Sequence, residues 1–101
     1  MRLVITGAAE TDLKSIVRHI ALDNRAAAQK VHRAIISSTE RLLDFPHIGH
    51  AGRLPETREY SVTALPYVIV YRVDPDLVTI LAVLHAARDV ARALMERKTA
   101  Q

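Results

Sequence analysis

Apolar residues recur along the chain at two periods, and the change from one to the other divides it. Met1 to Thr6 alternates weakly and is rich in β-formers, which predicts a short first strand. Thr6 can then cap a helix, with Glu10 and Asp12 in the first turns, where the helix dipole favours anions. Leu13, Ile16, Val17, Ile20 and Ala21 fall on one helical face, with Lys14, Arg18 and His19 opposite. Asp23-Asn24 breaks this helix and can cap the next. From Arg25 to Asp44 a second stripe runs through Ala28, Val31, Ile35, Ser38 or Thr39, Leu42 and Leu43, until Pro46 and Gly49 end it. So short a break between two amphipathic helices predicts an antiparallel helical hairpin.

Residues 45–57 contain Pro46, Gly49, Gly52 and Pro55 and read as a loop. Beyond them the period falls to two. Arg58 to Thr63 predicts a strand, Ala64-Leu65-Pro66 a turn, and Tyr67 to Val73 a second strand. Asp74-Pro75-Asp76 is a further turn, and Leu77 to His85 a third strand. Tyr67, Ile69, Tyr71 and Val73 line one face of the middle strand, while Val68 and Val70 make the other face apolar too. Antiparallel sheets commonly leave one face in water. Here the second face calls for a cover, either a C-terminal helix carrying Ala91, Leu94 and Met95 or a partner. The expected fold is α+β, a β-α-α-β-β-β chain whose antiparallel sheet packs on a helical hairpin, with a short C-terminal helix. One domain spans residues 1–101.

Composition narrows the function classes. Half of the residues are hydrophobic and a quarter charged, the balance of an ordinary globular domain. The chain has no cysteine, which rules out a disulfide framework, a thiolate nucleophile and a thiolate metal site, and suits a reducing cytoplasm. The apolar run at the N-terminus is too short for a signal peptide. No stretch reaches the ~20 apolar residues needed to span a bilayer, so no membrane role is expected. Net charge is +3, and lysine appears only at positions 14, 30 and 98. Arginine therefore carries most of the positive charge, and its planar fork suits carboxylate or phosphate. Such a balance fits nucleic acid, an acidic protein, or mere solubility.

Four words occur in order: Asp44-Phe45-Pro46-His47-Ile48-Gly49-His50, Thr57-Arg58-Glu59, Pro66-Tyr67-Val68-Ile69-Val70-Tyr71-Arg72-Val73, and Val83-Leu84-His85-Ala86-Ala87-Arg88-Asp89. With their order and spacing the chain resembles the RelE/ParE superfamily of toxins from roughly Leu3 to Val90, and the ParE branch is closest. The resemblance implies a cytoplasmic toxin of a type II toxin–antitoxin pair. It implies a ParD-like antitoxin that wraps the toxin and alone touches operator DNA, and DNA gyrase as the target. RelE-type members instead cut messenger RNA on the ribosome. A third possibility is a non-toxic member that serves only antitoxin binding and operon regulation.

RNA cleavage through the 2′-hydroxyl needs a base, an acid and cations around one phosphate. Arg53, Arg58, Glu59, Arg72, His85 and Arg88 are the candidates. A turn centred on Pro75 sets Arg72 opposite Val78 and His85 opposite Leu65, ~23 Å apart along the strand. A turn at Ala64-Leu65-Pro66 sets Arg58 opposite Arg72 on one face. That pairing of like charges needs an anion: Glu56, a carboxylate of the antitoxin or another acidic partner, or phosphate. Relative to the RelE-type pattern the chain has Val68 where an arginine follows the motif tyrosine, Glu59 and Ser61 where basic residues stand, and no aromatic after Tyr71. The six candidates are therefore expected to bind target or antitoxin rather than to catalyse, and no cofactor is expected. His47 and His50 form a weak metal pair without a carboxylate or cysteine nearby. His85 ends an apolar strand and is expected to be a hydrogen-bonded structural residue. His19 and His32 fall on helix faces, and Tyr60, Tyr67 and Tyr71 read as sheet packing rather than a base-stacking platform.

Overall fold

In the computed structural model, which describes residues 1–88 and 90–99, Thr6 sits where strand gives way to helix. Its hydroxyl accepts the Ala9 N–H and donates to the Ile80 carbonyl, so one residue caps α1 and fastens it to the sheet. The chain runs β1 (Arg2–Ile5), α1 (Gly7–Ala21), α2 (Arg25–Asp44), β2 (His50–Ala51), β3 (Arg58–Ser61), β4 (Tyr67–Asp74), β5 (Leu77–His85) and α3 (Val90–Thr99). Asn24 caps α2 by accepting the Ala27 N–H at 3.0 Å, and α2 has the bounds the stripe predicts.

The strands form one sheet in the order β1-β5-β4-β3-β2. β2 to β5 are antiparallel neighbours, and β1 adds a parallel edge against β5. The strand β2 lies inside the stretch read as loop, where it adds two residues alongside β3. The helical hairpin covers one face, with Ala9, Ile35 and Leu42 packed on Val62, Ile69, Tyr71, Val78, Ile80 and Val83. The second apolar face is covered by α3, whose Val90, Ala93 and Leu94 meet Val68, Val70, Ala82 and Leu84. Helix, sheet and helix thus form three layers. Of the expected contact residues Leu94 packs inward, but Met95 is 57% exposed and Val90 and Ala93 take its place. With the helix starting at Val90, positions 90, 93, 94 and 97 share its inner side.

Three residue pairings differ from those expected. Arg58 lies opposite Tyr71, not Arg72, so the two arginines occupy opposite faces of the sheet. His85 lies opposite Tyr67, not Leu65, and Arg72 opposite Thr79, not Val78. A slip of one residue reverses every side chain, and these turns centre half a residue away from the assumed positions. A bulge adds to the effect. Val70 pairs with Ala82 and Tyr71 with Ile80, which leaves Leu81 as the extra residue. The Leu81 carbonyl accepts a hydrogen bond from Arg97 at 3.2 Å.

Candidate functional site

The loop after α2 is shaped by side chains from β3 and β4. Tyr71, fully buried, donates its phenolic hydrogen to the Pro46 carbonyl at 2.7 Å and accepts the Gly49 N–H at 3.1 Å. Arg58 donates through Nη2 to the His47 carbonyl at 3.0 Å and to the Gly49 carbonyl. A Cβ at Gly49 would stand 2.6 Å from the Glu59 carbonyl oxygen and 2.7 Å from the Tyr71 hydroxyl, so only glycine lets the loop approach this closely. Arg58 meets carbonyls and no carboxylate among the described residues, and its Nε is buried without a partner. Glu56, offered as its counter-charge, lies instead in the left-handed region with φ 64° in the following loop.

Glu59 is 1% exposed and faces the α3 side, opposite Val70. Its carboxylate accepts the Arg53 N–H at 2.9 Å and lies 3.5 Å from Arg53 Nε, which folds the 52–57 loop back over β3. Arg72 is on the same face and pairs with Asp74 at 3.5 Å. His85 lies on the hairpin face with its ring edge-on to Tyr67, centroids 5.5 Å apart, and its Nδ1 accepts the Ala87 N–H. Arg88 is exposed on the segment leading to α3. Asp89, the last residue of the fourth word, lies outside the described residues.

The six candidates therefore do not share one cleft. Arg53, Glu59 and Arg72 lie on the α3 face, Arg58 and His85 on the hairpin face, and Arg88 past the end of β5. From Thr79, opposite Arg72, to His85 is six residues of strand, roughly 20 Å. Val68 is buried beneath α3 and brings no charge. No group of three or more His, Cys, Asp or Glu side chains stands close enough to hold a metal among the described residues. No helix among them is long and apolar enough to cross a membrane.

Two concavities escaped the sequence reading. A groove of about 480 Å³ runs between β1, α1 and α2, with Ile5, Leu13, Val17 and Ile36 in its lining and Lys14, Arg18, His32 and Glu10 beside them. Its cations are the polar side of α1, already visible in the periodicity, but the groove needs α2 and β1 in place. A second cleft of about 440 Å³ lies between the last turn of α2 and the stapled loop, lined by Arg41, Asp44, Phe45, Pro46, His47 and Ile48. Phe45 is 57% and Ile48 41% exposed, and the Arg41 guanidinium lies 5.7 Å from the centre of the Phe45 ring. Two large apolar residues around Pro46-His47 in a loop were the available signal.

Comparison with known proteins places this architecture in company. Residues 3–90 match the family model described as ParE toxin of type II toxin-antitoxin system, parDE. A protein of Sinorhizobium fredii (strain NBRC 101917 / NGR234) named "Putative toxin Y4kP" is 38% identical over 74 residues, 73% of this chain and 76% of that protein. Among solved structures, a chain described as "Chromosomal ParDE TA system from P. aeruginosa" is similar with a TM-score of 0.75 and 24% identity. That likeness covers 84% of this chain and 95% of the other.

Proposed function

The chain belongs to the ParE toxin family of type II toxin–antitoxin systems, and from that premise we propose that it acts in the cytoplasm by binding DNA gyrase and blocking it, and that a ParD-like antitoxin silences it. One observation carries the choice of binding over catalysis. The groups able to serve as base, acid and cation are divided between two faces and two ends of the sheet, with Arg72 and His85 roughly 20 Å apart along the strands. Transesterification of RNA needs them within hydrogen-bond reach of one phosphate. Two of them, Arg58 and Glu59, are already engaged in holding loops. A binding toxin has no such requirement.

The groove between β1, α1 and α2 supports a seat for the antitoxin. Its apolar lining suits the apolar face of an amphipathic helix, and Lys14, Arg18 and His32 suit acidic residues flanking that face. The exposed arginines among the six candidates, Arg53, Arg72 and Arg88, are offered as further contacts for antitoxin or target.

The test is a supercoiling assay with purified chain and gyrase. Inhibition that rises with toxin and is relieved by the antitoxin agrees with the reading. Normal supercoiling at a large molar excess of toxin contradicts it.

A further inference from the structure

The loop 45–49 combines a fixed backbone with exposed apolar side chains. Loop carbonyls and amides in water usually need no internal partner. Here Tyr71 and Arg58, from two different strands, together engage the Pro46, His47 and Gly49 carbonyls and the Gly49 N–H. Gly49 admits no side chain. Neither Phe45 nor Ile48 is folded into the core, although each has a large apolar side chain. The sheet thus holds rigid a loop whose apolar groups face solvent, the preorganisation that lets anchor residues bind without first being ordered.

The charge around the cleft has a sign. Arg41 lies over Phe45 on the outside, and the Arg58 guanidinium lies beneath the loop, met only by carbonyls among the described residues. Against these two guanidinium groups the lining holds one acid, Asp44. The balance favours an acidic occupant.

We propose that this cleft is a docking site for a protein partner that offers an apolar side chain flanked by carboxylates. The apolar side chain packs on Phe45 and Ile48 while the carboxylates face Arg41 and the loop above Arg58. The site lies at the C-terminal end of α2, lined by residues other than those of the groove assigned to the antitoxin. It therefore serves the toxin's target. That last step rests on the binding reading above; the chemistry of the occupant does not.

Two measurements test the proposal separately from that reading. The first titrates the full chain, with backbone amides followed by NMR, with a capped pentapeptide holding leucine between two aspartates, and with its counterpart holding leucine between two lysines. The expected result is weak binding of the aspartate peptide, with shifts confined to residues 41–49. Affinity should fall about fivefold or more for the lysine peptide and for Phe45→Ala, the variant keeping its thermal midpoint. No binding, equal binding of both peptides, or shifts located elsewhere overturns the site.

The second compares the chain with its Phe45→Ala/Ile48→Ala variant in growth arrest on expression, gyrase inhibition and antitoxin affinity. Potency in the first two should fall about tenfold or more, while antitoxin affinity stays within about threefold. Unchanged potency, or antitoxin affinity falling in step, overturns the assignment to the target. If the parent chain leaves gyrase untouched, the gyrase reading fails alone, and growth arrest and the peptides still judge the cleft.

Discussion

Arg97 and Asp12 are joined by two hydrogen bonds, Nη2 to Oδ1 at 2.8 Å and Nη1 to Oδ2 at 3.2 Å, which tie α3 to α1 past the edge of the sheet. β1 pairs with β5 only as far as Ile80, so the outer edge of β5 beyond that point lacks a neighbouring strand. Asp12 fills part of the gap by accepting the Val83 N–H at 3.0 Å, and Arg97 fills another part by donating to the Leu81 carbonyl. One ion pair thus replaces two ladder hydrogen bonds and links all three layers.

Asp12→Ala should cost more than Arg97→Ala, because it leaves the Val83 amide without its acceptor and the Arg97 guanidinium without its counter-charge. The expected losses are about 2–4 kcal/mol and about 1–2 kcal/mol respectively. Urea unfolding of both single variants and the double variant measures them. The double variant should lose less than the sum, since the two residues share one interaction.

Gly49→Ala forces a methyl group to within 3 Å of the Glu59 carbonyl and the Tyr71 hydroxyl. Backbone on one side and a fully buried ring on the other leave little room to yield. The variant should lose about 2 kcal/mol or more. Tyr71→Phe keeps the packing and removes only the hydroxyl, so about 1–2 kcal/mol is expected. In both, hydrogen exchange should rise at Gly49 and Ile48 before it rises in β4.

Glu59 and Arg53 are bound by an unequal pair of contacts. The Arg53 side chain is 49% exposed, so its ion pair with Glu59 contributes little through solvent. The hydrogen bond from the Arg53 backbone N–H ends on a buried carboxylate. Arg53→Ala is therefore expected to cost under about 1 kcal/mol, and Glu59→Ala about 1–3 kcal/mol. Glu59→Gln, which retains an acceptor, should fall between them. Thermal midpoints of the three variants provide the check.

Much of this architecture is legible in the sequence where a single face is buried. The stripe from Ala28 to Leu43 predicts α2 with both its bounds, and Leu77 to His85, although buried on both faces, predicts β5 because its apolar run has strand length and follows a strong turn. The register between strands was not legible. It turns on half a residue in each turn and on the extra Leu81, and neither leaves a mark in the hydrophobic pattern. That difference moved Arg58 to the face opposite Arg72, where it holds the loop instead of facing its neighbour's charge. The parallel position of β1 was equally hidden, since it depends on the return of β5 over 70 residues later. The four words that carry the family resemblance were sufficient for the family, whose model matches nearly the same span. They could not identify a site, because Arg58 and Glu59 within them act on the chain's own loops.

Arg72 and Arg58 should consequently respond differently to alanine. Arg72→Ala, at a side chain exposed on the α3 side of the sheet, is expected to weaken antitoxin binding several-fold at low salt. The difference should shrink as salt rises through about 0.2 M, because surface charges are screened over ~10 Å at 0.1 M. Arg58→Ala should instead lower the melting temperature and loosen the 45–49 loop. Calorimetric titration at two salt concentrations, beside thermal unfolding, separates the two. Equal salt-sensitive losses without destabilisation would return Arg58 to the surface role expected from sequence.

The most direct test of binding against cleavage supplies the purified chain to a translating system with a defined messenger RNA and maps its ends by primer extension. At toxin concentrations that stop gyrase supercoiling, the messenger should remain whole. Cuts at codon positions while supercoiling proceeds normally would contradict the account, since they would require the separated His85 and arginines to meet at one phosphate.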